Sequence, residues 1–493
     1  MEKRAQAYLQ IVQKKLDARI VRILLSVDRQ ITNNLRDGNV ETRPASSNGL
    51  WCCILLPTVL TLYALQYQVS ELYKLLAFIS VGLLSYSLLF IVFISVSCLV
   101  LKENIYGGCT ASGLTSALLL YIFLDRGLIF SITYSMVAVF SYSQLLRMTI
   151  MNFPKTFTIG EAMIVVQSII LFSMMVFTKF TFNNGDVEDE ELTFIYSVIY
   201  TLLSTVGIIV TALCLLEDSQ RHFSVLTYIL SVAGAYAVVM LHVNVGVDCI
   251  LRLIQYLFLD FNRVRLFLFW LAIAVMATFV ILIRTQLAVK ASTVTRKSFH
   301  VLASVVFLSG IIFNIRLMTL AAAFGFGLMI FTEALRKAHI RPVSPALQAA
   351  FDVYSDHKDV GCFAMTPMYL YVGLACPLVL VPVHEGYELE LLAGVLSIGI
   401  GDTAASWFGS KYGFNKWADG HKSLQGTAFN VFSQIAAVYA LDMFSLLKLN
   451  HSIIRTAITA TISGLVEAKT DQVDNLILPL VTLIAFQVTS ILS

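Results

Sequence analysis

The chain has 493 residues, of which 58% are hydrophobic and only 13% charged, whereas a soluble protein carries about 25% charged residues. Apolar runs of about 18 or more residues recur, each long enough to cross a bilayer as a helix, and this excludes an ordinary soluble domain. The formal net charge of +3 says little about partners; the lipid bilayer is expected among them and nucleic acid is not.

The expected fold class is all-α, a polytopic transmembrane helical protein of about fifteen spans. Backbone hydrogen bonds have to close within each segment. A β-barrel would show alternation in segments of about ten residues, which is missing here. The eight cysteines form no CxxC pair and mostly sit in apolar runs, as buried small hydrophobes do.

Residues 1–50 are polar and basic, with Lys3, Arg4, Lys14, Lys15, Arg19, Arg22, Arg29, Arg36 and Arg43. They contain no apolar core of a signal peptide. Ile11, Leu16, Ile20, Ile23, Leu24 and Val27 recur near helical spacing, so this basic N-terminal tail reads equally as an interfacial amphipathic helix or as a solvated cytosolic segment. Spans follow at 51–68, 72–101, 105–124, 128–147, 160–181, 192–216, 222–246 and 264–288, and together they make an N-terminal multi-span region, 51–289. The break at 183–191 is acidic. The segment 248–262, with Asp248, Arg252, Asp260 and Arg263, reads as interfacial rather than spanning.

The C-terminal region, 290–493, alternates spans at 298–314, 317–334, 363–384, 389–408, 424–446, 451–465 and 476–492 with four charged loops. The first carries Arg296, Lys297 and His300. The second runs from Glu333 to Asp359, through Arg336, Asp352 and Asp356. The third is the densest run of glycines, cations and hydroxyls in the chain, LSIGIGDTAASWFGSKYGFNKWADGHKSLQGTAFN, from Leu396 to Asn430. The fourth holds Glu467, Lys469, Asp471, Asp474 and Asn475. Two spans separate each loop from the next, so all four face one side, and the basic character of the first three puts that side in the cytosol. By the same count the 247–265 region, with Arg252, Arg263 and Arg265, falls on the opposite face, where the rule disfavours cations.

In the third loop, glycine backbone approaches phosphate closely and supplies N–H donors. Lys411, Lys416 and Lys422 can neutralise a triphosphate, and Ser423 and Thr427 can donate to its oxygens. No Walker A pattern occurs. The alternative is a solvated interhelical loop with snorkelling lysines, but it leaves Asp402 unexplained, since a carboxylate ending an apolar run is costly without a cation. Glu467, Asp471 and Asp474 share one helical face, either around a divalent cation such as magnesium or as an ordinary helix end with Lys469 as counter-charge. Arg296, Lys297 and His300 either bind phosphate or mark the membrane boundary. Phosphoryl transfer needs positioning and charge neutralisation above all, and a site walled by spans would take its acceptor hydroxyl from the membrane.

GDTAASWFGSKYG, then KW, then KSLQGT, resembles the polyprenol kinase family. RKSFH at 296–300, the Asp356–Gly361 segment and LVEAKTDQVDNLILPL at 465–480 are similar to that family in the same order. The motif-bearing resemblance covers about 290–493. It implies transfer of the γ-phosphate of CTP to dolichol or a related polyprenol. The product would be the lipid carrier for N-glycosylation, O-mannosylation and GPI-anchor assembly. It also implies an endoplasmic reticulum location, a cytosolic site and a divalent cation. The family's CTP-binding stretch maps onto Lys416 to Val431. The nucleotide set it implies is Gly401, Thr403, Ser406, Lys411, Lys416, Trp417, Gly420, His421, Lys422, Ser423, Gln425, Gly426 and Thr427, joined by Arg296, Lys297 and His300. A related pattern in CDP-diacylglycerol synthases implies Asp402 and Asp474 as metal ligands, with Glu467 beside them. Asp402 or Asp359 would act on the lipid hydroxyl. Where the family reads Glu-Gly-Thr this chain has Gln425-Gly426-Thr427, so no carboxylate is offered at 425. Two other readings are a CTP-dependent cytidylyltransferase or a kinase for another membrane lipid, and, from another class, a secondary transporter.

Overall fold

The computed structural model describes residues 24–181, 190–287, 290–355, 358–382, 388–417, 422–447 and 451–492. Among them regular structure is helical, apart from one isolated antiparallel bridge between Lys416 and Ser423. Among the described residues, each apolar range expected to span is mostly helical. Nine helices among the described residues are long and apolar enough to cross a membrane, from Glu71–Val96 to Ile315–Lys337. Met365–Leu380 and Asp474–Thr489 are apolar but shorter, while Leu424–Met443 and Ser452–Lys469 bury polar side chains along one face.

The chain divides into two compact units, Met1–Phe182 with Val360–Cys362, and Asn183–Asp359 with Phe363–Ser493. The first unit is joined internally by buried side-chain hydrogen bonds. Tyr86 and Ser143 meet at 2.7 Å, Ser87 and Tyr142 at 2.7 Å, and Gln167 donates to the Cys53 carbonyl at 3.1 Å. In hydrocarbon, with no water to take such groups, bonds between helices are the available partners.

The N-terminal segment differs from a solvated tail wherever it is described. Residues 24–37 are helical, with Ile31 and Leu35 buried. Asn34 Nδ2 donates to the carbonyls of Ile94 and Ser95, both at 2.9 Å, which caps the end of Glu71–Val96. Arg43 forms a two-pronged pair with Glu161, Nη2 to Oε1 at 2.7 Å and Nε to Oε2 at 3.1 Å, both residues buried. A buried arginine needs such a partner to offset its lost hydration.

In the second unit, two of the three arginines that the charge rule misplaces, Arg252 and Arg263, are paired with carboxylates, while Arg265 meets Asn262 and the Phe261 ring. Arg263 meets Glu191 at 2.7 Å and Asp260 at 3.6 Å, and Arg252 meets Glu190 at 3.7 Å. Arg316 also pairs with Glu191, and Arg263 lies 4.1 Å over the Tyr256 ring. The end of the acidic break thus supplies the counter-charges. Cys249–Phe258 is a ten-residue helix with Ile250, Leu251, Ile254 and Phe258 exposed, in keeping with an interfacial rather than spanning segment.

Candidate active site

The segment expected as one span at 389–408 is built in three pieces. A turn at Glu388–Leu391 precedes a π-helical stretch, Val395–Asp402, which runs into the helix Thr403–Tyr412. The π-helical stretch packs against Thr293–Phe313, Leu424–Met443, Ser452–Lys469 and Asp474–Thr489, so the helices that carry or adjoin the first, third and fourth charged loops border it. Its glycines make this approach possible. A Cβ at Gly399 would lie 1.9 Å from Ser304 Oγ, and one at Gly401 would lie 2.5 Å from Gln434 Nε2 and 2.6 Å from Asn430 Oδ1. Wide π-turns of this kind are frequent at functional sites. Gly401→Ala is therefore expected to push Asp402 out of place at a stability cost of about 1–3 kcal/mol. Activity should fall more than the amount of inserted protein, which paired activity and immunoblot measurements on the same membranes would check.

Asp402 closes the π-helical stretch and is 4% exposed. Lys297, from the first loop, pairs with it. Lys422, from the third loop, reaches Glu467 Oε1 at 2.8 Å, the Glu467 carbonyl at 2.6 Å and Asp474 Oδ2 at 3.3 Å. Burial alone would lower the Lys422 pKa, but Asp474 and Glu467 outweigh it and the net shift is upward, so this ammonium stays charged. Lys358, from the second loop, donates to the Gln472 carbonyl at 3.1 Å. The convergence of the four loops at one end of the unit is thus a set of direct contacts.

Asp402, Glu467 and Asp474 each offer a carboxylate oxygen, and these lie within 4.8 Å of one another. Three carboxylates face two ammonium groups, leaving one negative charge in excess. An all-oxygen set with residual negative charge suits a hard divalent cation such as magnesium. Asp471, expected on the same face, is not one of this group.

The remaining expected site residues divide between core and surface. His300 is buried, with Nδ1 3.1 Å from the Arg296 carbonyl, and lies in the electrostatic reach of Lys297 and Asp402. Arg296 is half-buried on the same helix. Lys411 and Lys416 are exposed, Ser406 is half-buried, and Thr403 bonds back to the Ile398 carbonyl at 3.3 Å. Lys416–Trp417 and Lys422–Ser423 form the two arms of a small hairpin: Trp417 N donates to the Lys422 carbonyl at 3.0 Å and Leu424 N to the Asn415 carbonyl at 2.8 Å. Trp417 Nε1 donates to Thr427 Oγ1 at 3.1 Å, and Gln425 Oε1 accepts from Asn415 N at 3.1 Å. Ser423 caps Leu424–Met443 by accepting from Gly426 N at 3.1 Å. Gly426 lets that helix lie close to Thr403–Tyr412, with a Cβ there meeting the Ala405 carbonyl at 3.1 Å. Gly420, His421 and Asp356 lie outside the described residues.

Two loop-two groups have other work. Asp359 Oδ1 accepts from Thr366 N at 2.9 Å and Thr366 Oγ1 at 2.8 Å, which caps the entry to Met365–Leu380. Arg336 binds Glu333 through Nε at 2.8 Å and Nη2 at 2.6 Å, as its spacing suggested, and also Gln348 at 2.6 Å. Asn430 and Gln434, passed over by the sequence reading, are buried directly beside Gly401. Thr427, Asn430 and Gln434 recur at helical spacing inside an apolar run, and that inward polar stripe was the signal available.

A family model described as dolichol kinase matches residues 77–366. Among curated proteins, dolichol kinase of Bos taurus is 30% identical over 398 residues, covering 76% of this chain and 73% of the relative. Dolichol kinase of Mus musculus is 29% identical over 399 residues with the same coverage. Dolichol kinase of Saccharomyces cerevisiae is 25% identical over 248 residues, 50% of this chain and 46% of the relative. No solved structure matches. The relation reaches into the N-terminal spans, beyond the 290–493 stretch whose motifs carry the resemblance. The chain belongs to the dolichol kinase family, which sets the transporter reading aside.

Proposed function

We propose that this member of the dolichol kinase family transfers the γ-phosphate of CTP to the hydroxyl of dolichol, releasing CDP and dolichyl phosphate. The observation that carries the reading is the meeting of Asp402, Glu467 and Asp474 with Lys297 and Lys422 at one end of a membrane bundle. That set supplies anion-binding charge and cation ligands together, as phosphoryl transfer requires.

Asp402, Glu467 and Asp474 would hold a divalent cation, which when bound neutralises phosphate charge. Lys422 and Lys297, next to those carboxylates, take the phosphate oxygens nearest the reacting centre. Lys411 and Lys416 at the surface, with the Lys416–Ser423 hairpin, receive the rest of the nucleotide. The lipid oxygen forms its bond to the γ-phosphorus as the bond to the bridging β–γ oxygen breaks, and CDP departs with that oxygen. The hydroxyl proton passes to Asp402. Asp359 is assigned to helix capping instead, because Thr366 occupies its Oδ1 twice.

Membranes containing the protein, given γ-labelled CTP, dolichol and Mg2+, are expected to place label in the lipid, with γ-labelled ATP ineffective in parallel. Release of pyrophosphate without lipid label would move the protein to the cytidylyltransferases.

The basic character of the site loops supports a cytosolic active face in the endoplasmic reticulum membrane. The product would then feed N-glycosylation, O-mannosylation and GPI-anchor assembly. With Cys214 changed to Ser, Glu217→Cys should react with an impermeant maleimide in sealed microsomes, and Asp248→Cys only after permeabilisation. The reverse pattern would invert the orientation.

A further inference from the structure

A helix interior normally leaves few buried polar groups without partners, because each costs the free energy of its lost hydration. Beneath the carboxylates this rule is broken several times. Asn430 Nδ2 and Gln434 Oε1 have no hydrogen-bond partner among the described residues, and neither do Ser304 Oγ, Thr459 Oγ1 and Ser463 Oγ. Asn430 and Gln434 are 0% and 1% exposed. Ser463 and Thr459 lie one and two turns below Glu467 on its own helix.

The two amides are joined to each other, Gln434 Nε2 donating to Asn430 Oδ1 at 2.6 Å. The pair therefore presents one wholly unused donor group, Asn430 Nδ2, and one wholly unused acceptor group, Gln434 Oε1. Turning both amides over leaves the same offer, one donor and one acceptor. Gly401 brings this pair against the residue preceding Asp402, since a Cβ there would meet both side chains within 2.6 Å. On the other side, a Cβ at Gly464 would lie 3.7 Å from Asn430 Cγ, which seats the amide between the π-helical stretch and the helix carrying Glu467.

A hydroxyl group accepts one hydrogen bond and donates another, and is the complement of this pair. We infer that Asn430 and Gln434 are the seat of the acceptor alcohol, holding the lipid hydroxyl beside Asp402 from within the bundle, away from the exposed lysines of the hairpin. Asn430 falls in the Lys416–Val431 stretch mapped to nucleotide binding, yet its side chain is turned into the core. The inference rests on the proposed transfer to a lipid alcohol and adds how the hydroxyl is recognised. Both residues are positioning residues: they select and orient the alcohol, and the chemistry stays with Asp402.

The test is binding selectivity in nanodiscs containing the full chain. A labelled polyprenol is displaced by unlabelled polyprenol or by the matching polyisoprenoid hydrocarbon that lacks the hydroxyl. The unmodified protein is expected to prefer the alcohol by at least about tenfold, the worth of one or two buried hydrogen bonds. Asn430→Leu and Gln434→Met should each bring the preference close to unity while Mn2+ binding at the carboxylates, read by electron paramagnetic resonance, is kept. If Asn430→Leu loses Mn2+ binding through misfolding, Gln434→Met, with a side chain of similar length, decides. An unchanged preference in a variant that still binds Mn2+ would overturn the inference and leave the pair to a buried water alone. Absence of label transfer to lipid by the unmodified protein would instead defeat the proposed function, so the two failures are distinct.

Discussion

Asp402→Asn is expected to lower lipid phosphorylation by about a thousandfold or more, the scale on which preorganised charge acts in a water-poor site. The carboxylate has three assigned tasks at once: cation ligand, proton acceptor and partner of Lys297. Asn keeps the shape and loses the charge on which each task depends. The change also strands Lys297, whose side chain is 17% exposed, and breaking a buried pair from one side costs about 3–5 kcal/mol. A loss of activity could then be mistaken for a loss of fold. Adding Lys297→Met removes the stranded charge, so the double variant should recover most of the thermal stability of the solubilised protein and none of the activity. Near-normal phosphorylation by Asp402→Asn would remove this residue from the mechanism.

Lys422→Met has a split outcome that a purely structural lysine would not produce. Its ammonium sits within 3.3 Å of carboxylate oxygens of both Glu467 and Asp474. It therefore competes for the oxygens a divalent cation would use. At such separations each unit charge is worth about 4 kcal/mol in a partly screened environment. Removing it should tighten Mn2+ binding without nucleotide by at least about tenfold, while nucleotide affinity and turnover fall steeply because a phosphate partner is lost. Glu467→Gln and Asp474→Asn should shift Mn2+ affinity the other way. Weaker Mn2+ binding by Lys422→Met would mean that the lysine supports the carboxylates and does not oppose a cation.

Much of this site was legible residue by residue. Asp402 stood out because a carboxylate at the end of IGIGDTAAS has no place in a bland loop, and the even span count put Arg296–His300, Leu396–Asn430 and Glu467–Asn475 on one side. The partners within that side were not legible. Lys297 was grouped with Arg296 and His300 as cations at a boundary, yet it alone of the three pairs with Asp402. Asp359 looked like a second candidate base from its charge and its place before a span, and it is a helix cap. The motif glycines suggested a phosphate cradle; Gly399 and Gly401 also lie where a Cβ would collide with neighbouring side chains, and Gly426 where one would be a tight fit.

Composition and apolar period by themselves determined that the protein is a polytopic helical membrane protein, because hydrocarbon admits few other ways to close backbone hydrogen bonds. The even span count also led to the expectation that its charged loops gather on one side, since each span reverses the chain. The tertiary structure alone decided which charges touch. Ion pairing within that gathering depends on distances of a few ångströms between helices remote in sequence, such as the 2.8 Å between Lys422 and Glu467. Those distances are set by a π-helical stretch and by glycine contacts that no local pattern announces. It also decided which polar atoms are left without partners among the described residues, Asn430 Nδ2 and Gln434 Oε1 among them, because that is a property of the packed interior and of no single segment.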